Sequence, residues 1–164
     1  MKLSTQGRKH LIEFEGIRLR AYADAAGKRT IGVGHLLTAR ERTSGQLRIG
    51  DESIPWKHGI TLDETQALLD QDLARIEAAV SERVQVPLAQ HQFDALASFV
   101  FNVGPAAFAR STLLRLLNEG QYAAVPGQLR RWVRAGGKVL PGLQRRRESE
   151  IAIWSGPAKI QTEQ

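Results

Sequence analysis

Cysteine is absent from the chain, which excludes disulfide bonds and thiolate metal sites. The four histidines are scattered without the spacing of metal ligands, so a metal site is not expected. No run of 18 apolar residues occurs, and the first dozen residues lack the apolar segment of a signal peptide. These absences predict synthesis in the cytoplasm, with at most peripheral contact with a membrane.

Charge is distributed unevenly along the chain. Residues 1–102 contain 13 Lys or Arg and 13 Asp or Glu, whereas residues 103–164 contain ten and four. The C-terminal part therefore carries the whole net charge of +6 and should attract polyanions such as anionic envelope polymer or nucleic acid. A solvated basic face without any partner is an equally open interpretation.

The N-terminal part has the pattern of a helix followed by a hairpin. Thr5 is a candidate N-cap for a helix that ends near Glu15, because Gly16 is a helix stop signal. Apolar and polar residues then alternate, and Gly27 marks a turn into a second strand. Residues 37–60 are mainly polar, and we expect one short helix among them.

The rest of the chain is predicted to be helical. Thr61 and Glu64 form a capping box ahead of a long apolar stripe. The helix over 89–103 is apolar on nearly every face, which places it inside a core. Ser111 caps the next helix. The remaining predicted segments are a helix over 112–118, a helix over 122–134, a loop over 135–142, a last helix containing Leu143, Arg147, Ile151 and Trp154 on one side, and a frayed end over 156–164.

Together these elements predict an α+β fold that is mostly helical, in a single domain over residues 1–164. We expect a small N-terminal lobe with the β-hairpin (about 1–60), a long connecting helix (about 61–84) and a helical C-terminal lobe (about 85–155). A chain of this length buries roughly 70% of its unfolded surface, so it needs no covalent staples.

Two carboxylates and a hydroxyl stand close together in residues 15–35, which read EGIRLRAYADAAGKRTIGVGH. We expect Glu15 to hold a proton readily, because the negative end of a helix dipole disfavours a second negative charge. Asp24 precedes a turn, where it should be solvated and ionised, and the Thr30 hydroxyl could fix a water. Either carboxylate alone is typical of an ordinary surface residue, but the pair matches what glycosidic bond cleavage requires.

The pattern of Glu15, Asp24 and Thr30, followed by Ile31-Gly32-Val33-Gly34-His35, resembles the signature of the phage-type lysozymes, which include T-even phage lysozyme and the lambdoid endolysins. The similarity extends over about residues 7–155. The other similar segments are Phe99-Val100-Phe101-Asn102-Val103-Gly104, Phe108, Ser111-Thr112-Leu113-Leu114, Trp132, Gly136-Gly137-Lys138-Val139-Leu140, Gly142-Leu143, Arg146-Arg147, Glu150 and Trp154.

This resemblance implies a lysozyme-like two-lobe fold and an endo-acting muramidase that cuts the β-1,4 bond between N-acetylmuramic acid and N-acetylglucosamine without a cofactor or metal. It implies that Glu15 is the general acid, that Asp24 holds or activates the attacking water, and that Thr30 completes the site. The substrate-contacting positions of the family fall on Leu36, Phe101 and Ser111. Inversion at the sugar carbon is also implied, although the carboxyl separation would decide it.

The densest charge run is Arg145-Arg146-Arg147. On a helix these side chains point in different directions. We expect one of them to orient Glu15, while the others face solvent or bind the carboxylates of the glycan peptides. Residues 130–147 are expected to help the protein adhere to anionic envelope polymer through Arg130, Arg131, Arg134 and Arg145 to Arg147. His35 is expected to fix the hairpin to its lobe through a hydrogen bond.

The expected partner is therefore the peptidoglycan glycan strand, bound by a monomer that reaches the wall through a separate membrane pore. Three alternatives stay open: a catalytically silent wall-binding protein, a lytic transglycosylase, and a basic helical protein that binds nucleic acid. The last would need a recognition helix with clustered base-reading residues, which the sequence lacks, so no specific nucleic acid is expected.

Overall fold

The computed structural model describes residues 1–157, so most of the end that was expected to fray lies outside the described residues. The chain forms two compact units. The N-terminal unit comprises residues 9–75, and the C-terminal unit comprises residues 1–8 together with the described chain from residue 76. The fold is α+β and mostly helical, as predicted.

The secondary structure alternates short strands and helices at first and is almost entirely helical after residue 61. The described helices are α1 (Thr5–Glu15), α2 (Ala39–Ser44), α3 (Leu62–Arg83), α4 (Gln90–Val103), α5 (Pro105–Ala109), α6 (Thr112–Asn118), α7 (Val125–Leu129) and α8 (Pro141–Ser155), with one 3₁₀ turn at Tyr122–Ala124. The described strands are β1 (Arg18–Ala23), β2 (Arg29–Gly32), β3 (His35–Leu36), β4 (Gln46–Ile49), β5 (Glu52–Pro55), β6 (Arg134–Ala135) and β7 (Lys138–Val139).

The N-terminal unit contains a three-stranded antiparallel sheet in the order β1-β2-β3. Strands β1 and β2 form the predicted hairpin, with Tyr22 opposite Thr30. Strand β3 pairs with the other edge of β2, so Thr30 is also opposite Leu36. Ile31 points to the other face of β2, where it is fully buried. Its partners in the core of this unit are Leu37, Leu47, Trp56, Ile60 and Leu68.

A second hairpin, β4–β5, pairs Gln46 with Pro55 at its open end. The short helix expected in residues 37–60 is α2, but the sequence pattern showed no sign of the hairpin. The indole Nε1–H of Trp56 donates to the carbonyl of Glu41 in α2 at 2.9 Å, which joins the hairpin to that helix. The hairpin therefore depends on a buried indole that follows its second strand.

His35 lies in a buried polar cluster of the N-terminal unit. Its Nδ1 is 2.7 Å from Oδ2 of Asp72 on α3, and its Nε2 is 3.2 Å from Oε2 of Glu41 on α2. The expected structural role of His35 is therefore confirmed. Burial lowers the pKa of His35, but the hydrogen bond and charge of Asp72, together with those of Glu41, outweigh burial and raise the pKa above its usual value.

Stability should therefore depend on pH through His35. Because the folded-state pKa is raised, the charged cluster contributes fully below the unfolded pKa of about 6.5 and is lost as pH rises through the folded value. We expect the free energy of unfolding, measured by urea denaturation at several pH values, to fall as pH rises from the unfolded-state pKa of His35 to its folded-state pKa. Asp72→Asn should flatten the dependence, whereas His58→Gln, at an exposed histidine, should leave it unchanged. A wild-type slope retained in Asp72→Asn would contradict this assignment.

The C-terminal unit is organised around α4, which packs against α8. Every residue from Phe93 to Val100 is buried, as the apolar sequence of this helix predicted. Phe99 makes edge contacts with the rings of Phe108 and Trp132. The buried apolar residues of this unit are Ile76, Val80, Phe93, Ala95, Leu96, Ala97, Phe99, Val100, Phe108, Leu113, Leu114, Leu117, Val125, Leu129, Ile151 and Trp154.

The first residues of the chain are attached to this unit by Asp94 of α4. The carboxylate of Asp94 accepts hydrogen bonds from the backbone N–H and the hydroxyl of Ser4, and from the side-chain amide of Gln90. The hydroxyl of Ser4 in turn accepts from the N–H of Gly7 at 3.0 Å. Ser4 therefore caps α1, and the expectation that Thr5 is the cap is wrong, because Thr5 is already the first helical residue.

Other helix boundaries agree with the sequence only in part. The capping box is confirmed, since the hydroxyl of Thr61 accepts from the N–H of Glu64, and the Glu64 carboxylate accepts from the N–H of Thr61. The helix expected over 122–134 is wrong: a 3₁₀ turn leads into α7, which contains Pro126 near its start and ends at Leu129. The loop expected over 135–142 instead contributes to the small β6–β7 pair.

No helix in the described part of the chain has the length and apolar character needed to span a membrane.

Candidate active site

Glu15 is the last residue of α1, and its side chain packs against the loop that joins β2 to β3. A methyl group added at Gly34 would lie 2.5 Å from Oε2 of Glu15 and 2.8 Å from its Cδ. Gly34 also has a φ of +61°, in the left-handed region that side chains disfavour. Glycine is therefore required at this position for two reasons: the backbone conformation, and the close approach of the Glu15 carboxyl group.

Gly34→Ala should consequently cost activity beyond its effect on stability. Gly32→Ala is the matched control, because Gly32 also has positive φ (+67°) but a methyl there meets only ordinary contacts at 3.5 Å and beyond. We expect both variants to lose about 1–2 kcal/mol of unfolding free energy, measured by denaturation. Only Gly34→Ala should also lower the rate of the glycan cleavage that the family resemblance implies, measured per folded molecule. Equal activity in the two folded variants would show that contact with Glu15 is irrelevant.

Asp24 follows β1 and is held by the turn that it begins. Its Oδ1 accepts hydrogen bonds from the backbone N–H groups of Ala26 at 2.9 Å and Lys28 at 2.8 Å. Its own N–H donates to the carbonyl of Lys28 at 2.8 Å, which closes the turn. The described residues offer no hydrogen-bond donor to Oδ2. The turn thus orients the carboxylate through one oxygen and leaves the other available for a water or a ligand.

Thr30 lies next to this turn on β2, and its side chain is buried. Its hydroxyl donates to the carbonyl of Lys28 at 3.1 Å, the same carbonyl that accepts from the N–H of Asp24. A single backbone oxygen therefore links the two residues. Because a hydroxyl that donates one hydrogen bond keeps acceptor capacity, Thr30 can still receive a hydrogen bond from a water.

Tyr22 is close enough to feel the charge of both carboxylates. Burial raises the pKa of Tyr22, the charges of Glu15 and Asp24 raise it further, and the charge of Arg18 opposes them. Glu15 precedes β1 and Asp24 follows it, yet the charges of both raise the pKa of the same phenol. The sequence analysis did not identify Tyr22, although counting back from the turn at Asp24 pairs it with Thr30.

Leu36 completes a row of side chains across the sheet. Tyr22, Thr30 and Leu36 are directly opposite one another on neighbouring strands, so their side chains share the face away from Ile31. Leu36 is 47% exposed, unusually open for a large apolar residue. The structure therefore brings the predicted contact residue Leu36 beside Thr30, on the face that also carries Tyr22.

The other two predicted contact residues belong to the C-terminal unit. Phe101 is half-buried on α4. Ser111 is buried, and its hydroxyl caps α6 by accepting from the N–H of Leu114 at 3.1 Å and donating to the carbonyl of Phe108 at 2.7 Å. The capping role predicted for Ser111 is confirmed. A contact of Phe101 or Ser111 with substrate stays a prediction.

The three adjacent arginines on α8 differ in exposure. Arg145 is exposed, whereas Arg146 and Arg147 are only 5% and 0% exposed. Nε of Arg147 lies 2.8 Å from Oε2 of the fully buried Glu150, and Nε of Arg146 lies 3.3 Å from Oε1 of the same carboxylate. The expectation that two of the three face solvent or bind glycan peptide carboxylates is therefore wrong, because Arg145 alone of these three is exposed. The orienting of Glu15 by one arginine stays a prediction.

Metal-ligand clusters are lacking from the described residues, where no group of three or more His, Cys, Asp or Glu side chains could hold an ion.

The chain is similar in sequence and fold to known proteins. A sequence model described as phage lysozyme matches residues 12–150. An endolysin of Acyrthosiphon pisum secondary endosymbiont phage 1 is 38% identical over 158 residues, covering 94% of this chain and 98% of that protein. The endolysin of Salmonella phage P22 is 41% identical over 156 residues, covering 93% and 99%.

Among solved structures, the muramidase domain of SpmX from Asticaccaulis excentricus has the same fold, with a TM-score of 0.76 and 36% identity over 95% of this chain and 99% of that one. The family match covers most of this chain, and the relatives are matched over nearly their whole length. The chain therefore belongs to the phage lysozyme family.

Proposed function

We propose that this chain is an endolysin that hydrolyses the β-1,4 bond between N-acetylmuramic acid and N-acetylglucosamine in peptidoglycan. Membership of the phage lysozyme family and similarity to endolysins support a cell-wall hydrolase. The observation that carries the finer proposal is the position of three side chains around one hairpin: Glu15 packs against Gly34 in the loop after β2, and Asp24 and the Thr30 hydroxyl share the carbonyl of Lys28. Cleavage of a glycosidic bond requires such a pair of carboxyl groups.

Each residue has a role that suits its surroundings. Glu15 acts as the general acid and protonates the leaving sugar oxygen. Asp24, oriented through Oδ1 by the turn, holds or activates the attacking water with Oδ2. Thr30 fixes that water through its hydroxyl, which is tied to the same turn by the carbonyl of Lys28. The proposed outcome is inversion at the sugar carbon.

Analysis of the digestion products tests this reaction. Purified peptidoglycan is digested and the soluble fragments are analysed by mass spectrometry and by proton NMR during the first turnovers. We expect reducing-end muramic acid, formed initially as the inverted anomer. Anhydromuramic acid ends would instead identify a lytic transglycosylase, and retention of configuration would overturn the proposed role of Asp24. Release of no glycan fragments at all would favour the silent wall-binding alternative.

Exposed arginines of the C-terminal unit support a second, weaker contact with the envelope. Arg131, Arg134 and Arg145 are exposed, whereas Arg130 forms an ion pair with Glu148 at 2.8 Å. Because exposed positive charges attract polyanions, anionic envelope polymer is a further proposed partner. The proposed cellular route is synthesis in the cytoplasm as a monomer and access to the wall through a separate membrane pore.

A further inference from the structure

We infer that Tyr22 contacts the substrate and donates a hydrogen bond from its phenol to the sugar bound over Thr30 and Leu36. This inference rests on the proposed function, because it assigns a further residue to the same site. The geometry that points to it is the cross-strand row of Tyr22, Thr30 and Leu36.

The pairing of the strands determines where the side chain lies. Residues directly opposite in an antiparallel sheet have Cβ atoms roughly 4.5–5.5 Å apart on the same face. Tyr22 is therefore the immediate neighbour of Thr30, and Leu36 is the neighbour of Thr30 on its other side. A sugar that reaches the Thr30 hydroxyl passes within reach of the Tyr22 ring.

The ring of Tyr22 is held in place by Arg18. The guanidinium carbon of Arg18, which is four residues earlier on the same strand, lies 5.1 Å from the ring centroid. Such a stacked cation favours one orientation of the ring. The orientation of the phenol is thus established before a ligand arrives, which lowers the entropic cost of binding.

The phenol itself is available for a ligand. Tyr22 is half-buried, yet its hydroxyl has no hydrogen-bond partner within residues 1–157. By contrast, the hydroxyl of Tyr122 in the C-terminal unit donates to the carbonyl of Pro87 at 2.7 Å. Burial and the charges of Glu15 and Asp24 raise the pKa of Tyr22, so its phenol stays protonated and acts as a donor.

The ligand group that fits is a neutral hydrogen-bond acceptor. The negative charges of Glu15 and Asp24 both act on the phenol, so an anionic group bound there would meet like charges. A sugar hydroxyl or the carbonyl of an acetamido substituent has the required chemistry without that repulsion. Tyr22 therefore recognises the neutral part of an N-acetylated glycan.

Tyr22→Phe tests the contact, because it removes only the hydroxyl and keeps the ring on which Arg18 stacks. We expect kcat/KM on soluble peptidoglycan to fall about 3- to 10-fold, the effect of one neutral hydrogen bond. The two limbs of the pH–rate profile should stay in place, because a neutral phenol contributes no charge to either carboxylate. The matched control is Tyr122→Phe, which should leave kcat/KM unchanged in the folded protein.

Binding by the Glu15→Gln variant separates contact from catalysis. Its affinity for a GlcNAc–MurNAc tetrasaccharide should fall by the same factor when Tyr22→Phe is added, measured by calorimetry. Wild-type kcat/KM in Tyr22→Phe, or a shifted pH limb, would overturn the inference while leaving the proposed function intact. If the wild-type chain cleaves no glycan and Glu15→Gln binds none, the proposed function fails and the inference falls with it.

Discussion

Replacing Glu15 by glutamine should reduce glycan cleavage by about 10²- to 10⁴-fold, the usual contribution of a general acid. The amide occupies nearly the same volume against Gly34, so the loop from β2 to β3 should be undisturbed. What disappears is the proton that the leaving sugar oxygen requires. Turnover is measured as the release of reducing ends from purified peptidoglycan, with circular dichroism to verify folding.

Glu13→Gln is the matched control for this experiment. Glu13 lies on the same helix, is exposed, and is two residues earlier, so its loss changes the net charge without touching the site. We expect wild-type turnover from it. A double variant, Glu15→Gln with Asp24→Asn, should lose little more than Glu15→Gln alone, because residues that act in one step are not additive. Substantial cleavage by the double variant would refute the assignment of both carboxyl groups.

Removing Glu150 should destabilise the protein by about 3–5 kcal/mol, the typical cost of breaking a buried ion pair. The Glu150→Ala variant leaves the buried guanidiniums of Arg146 and Arg147 without their shared carboxylate. It also removes the acceptor of the Ser98 hydroxyl at 2.8 Å. For a chain of this length the midpoint of thermal unfolding should fall by roughly 6–20 °C, measured by calorimetry.

Glu148→Ala provides the comparison on the same helix. Glu148 also pairs with an arginine, Arg130, at 2.8 Å, but both groups are exposed to solvent. Screening by water makes such surface pairs nearly neutral for stability, so we expect almost no change in the midpoint. Equal losses in the two variants would show that burial of the Glu150 cluster is unimportant. Glutamine at position 150 should recover part of the loss, because its carbonyl oxygen can still accept the Ser98 hydroxyl.

The sequence was sufficient where local rules determine the structure. The hairpin after Glu15 has alternating strands and a glycine at its turn, and β1–β2 forms there. The capping box at Thr61 and the cap at Ser111 depend on groups at most three residues apart, and both are present. Such signals are complete within one short segment, which is why they can be recognised without knowing the rest of the fold.

The sequence was insufficient where distant residues meet. Position alone does not distinguish Arg145 from Arg147, since both are arginines in one run. The difference arises because Arg147 shares a side of α8 with buried residues, over the ring of Phe99 at 5.1 Å and against Asn102 of α4. The sequence did place Arg147 on the same side as Ile151 and Trp154. That placement was the available sign that this arginine belongs to a core.

The cap of α1 and the β4–β5 hairpin illustrate the same limit. Ser4 and Thr5 are both good caps, and Ser4 is selected because Asp94, ninety residues away in sequence, binds it. The strands of β4–β5 are four residues long and half of their residues are polar, so the hairpin is stabilised by Trp56 outside them. Tyr22 was missed for a related reason, because its importance comes from the strand opposite.

The attachment of residues 1–8 to the C-terminal unit has a consequence for synthesis on the ribosome. Residues 9–75 emerge before residue 76 and contain all the strands and core partners of their own unit, so that unit can fold while translation continues. The segment around Ser4 emerges even earlier, yet its acceptor on Asp94 does not exist until α4 has been made. The segment around Ser4 therefore stays without its hydrogen bonds to Asp94 until α4 has been synthesised.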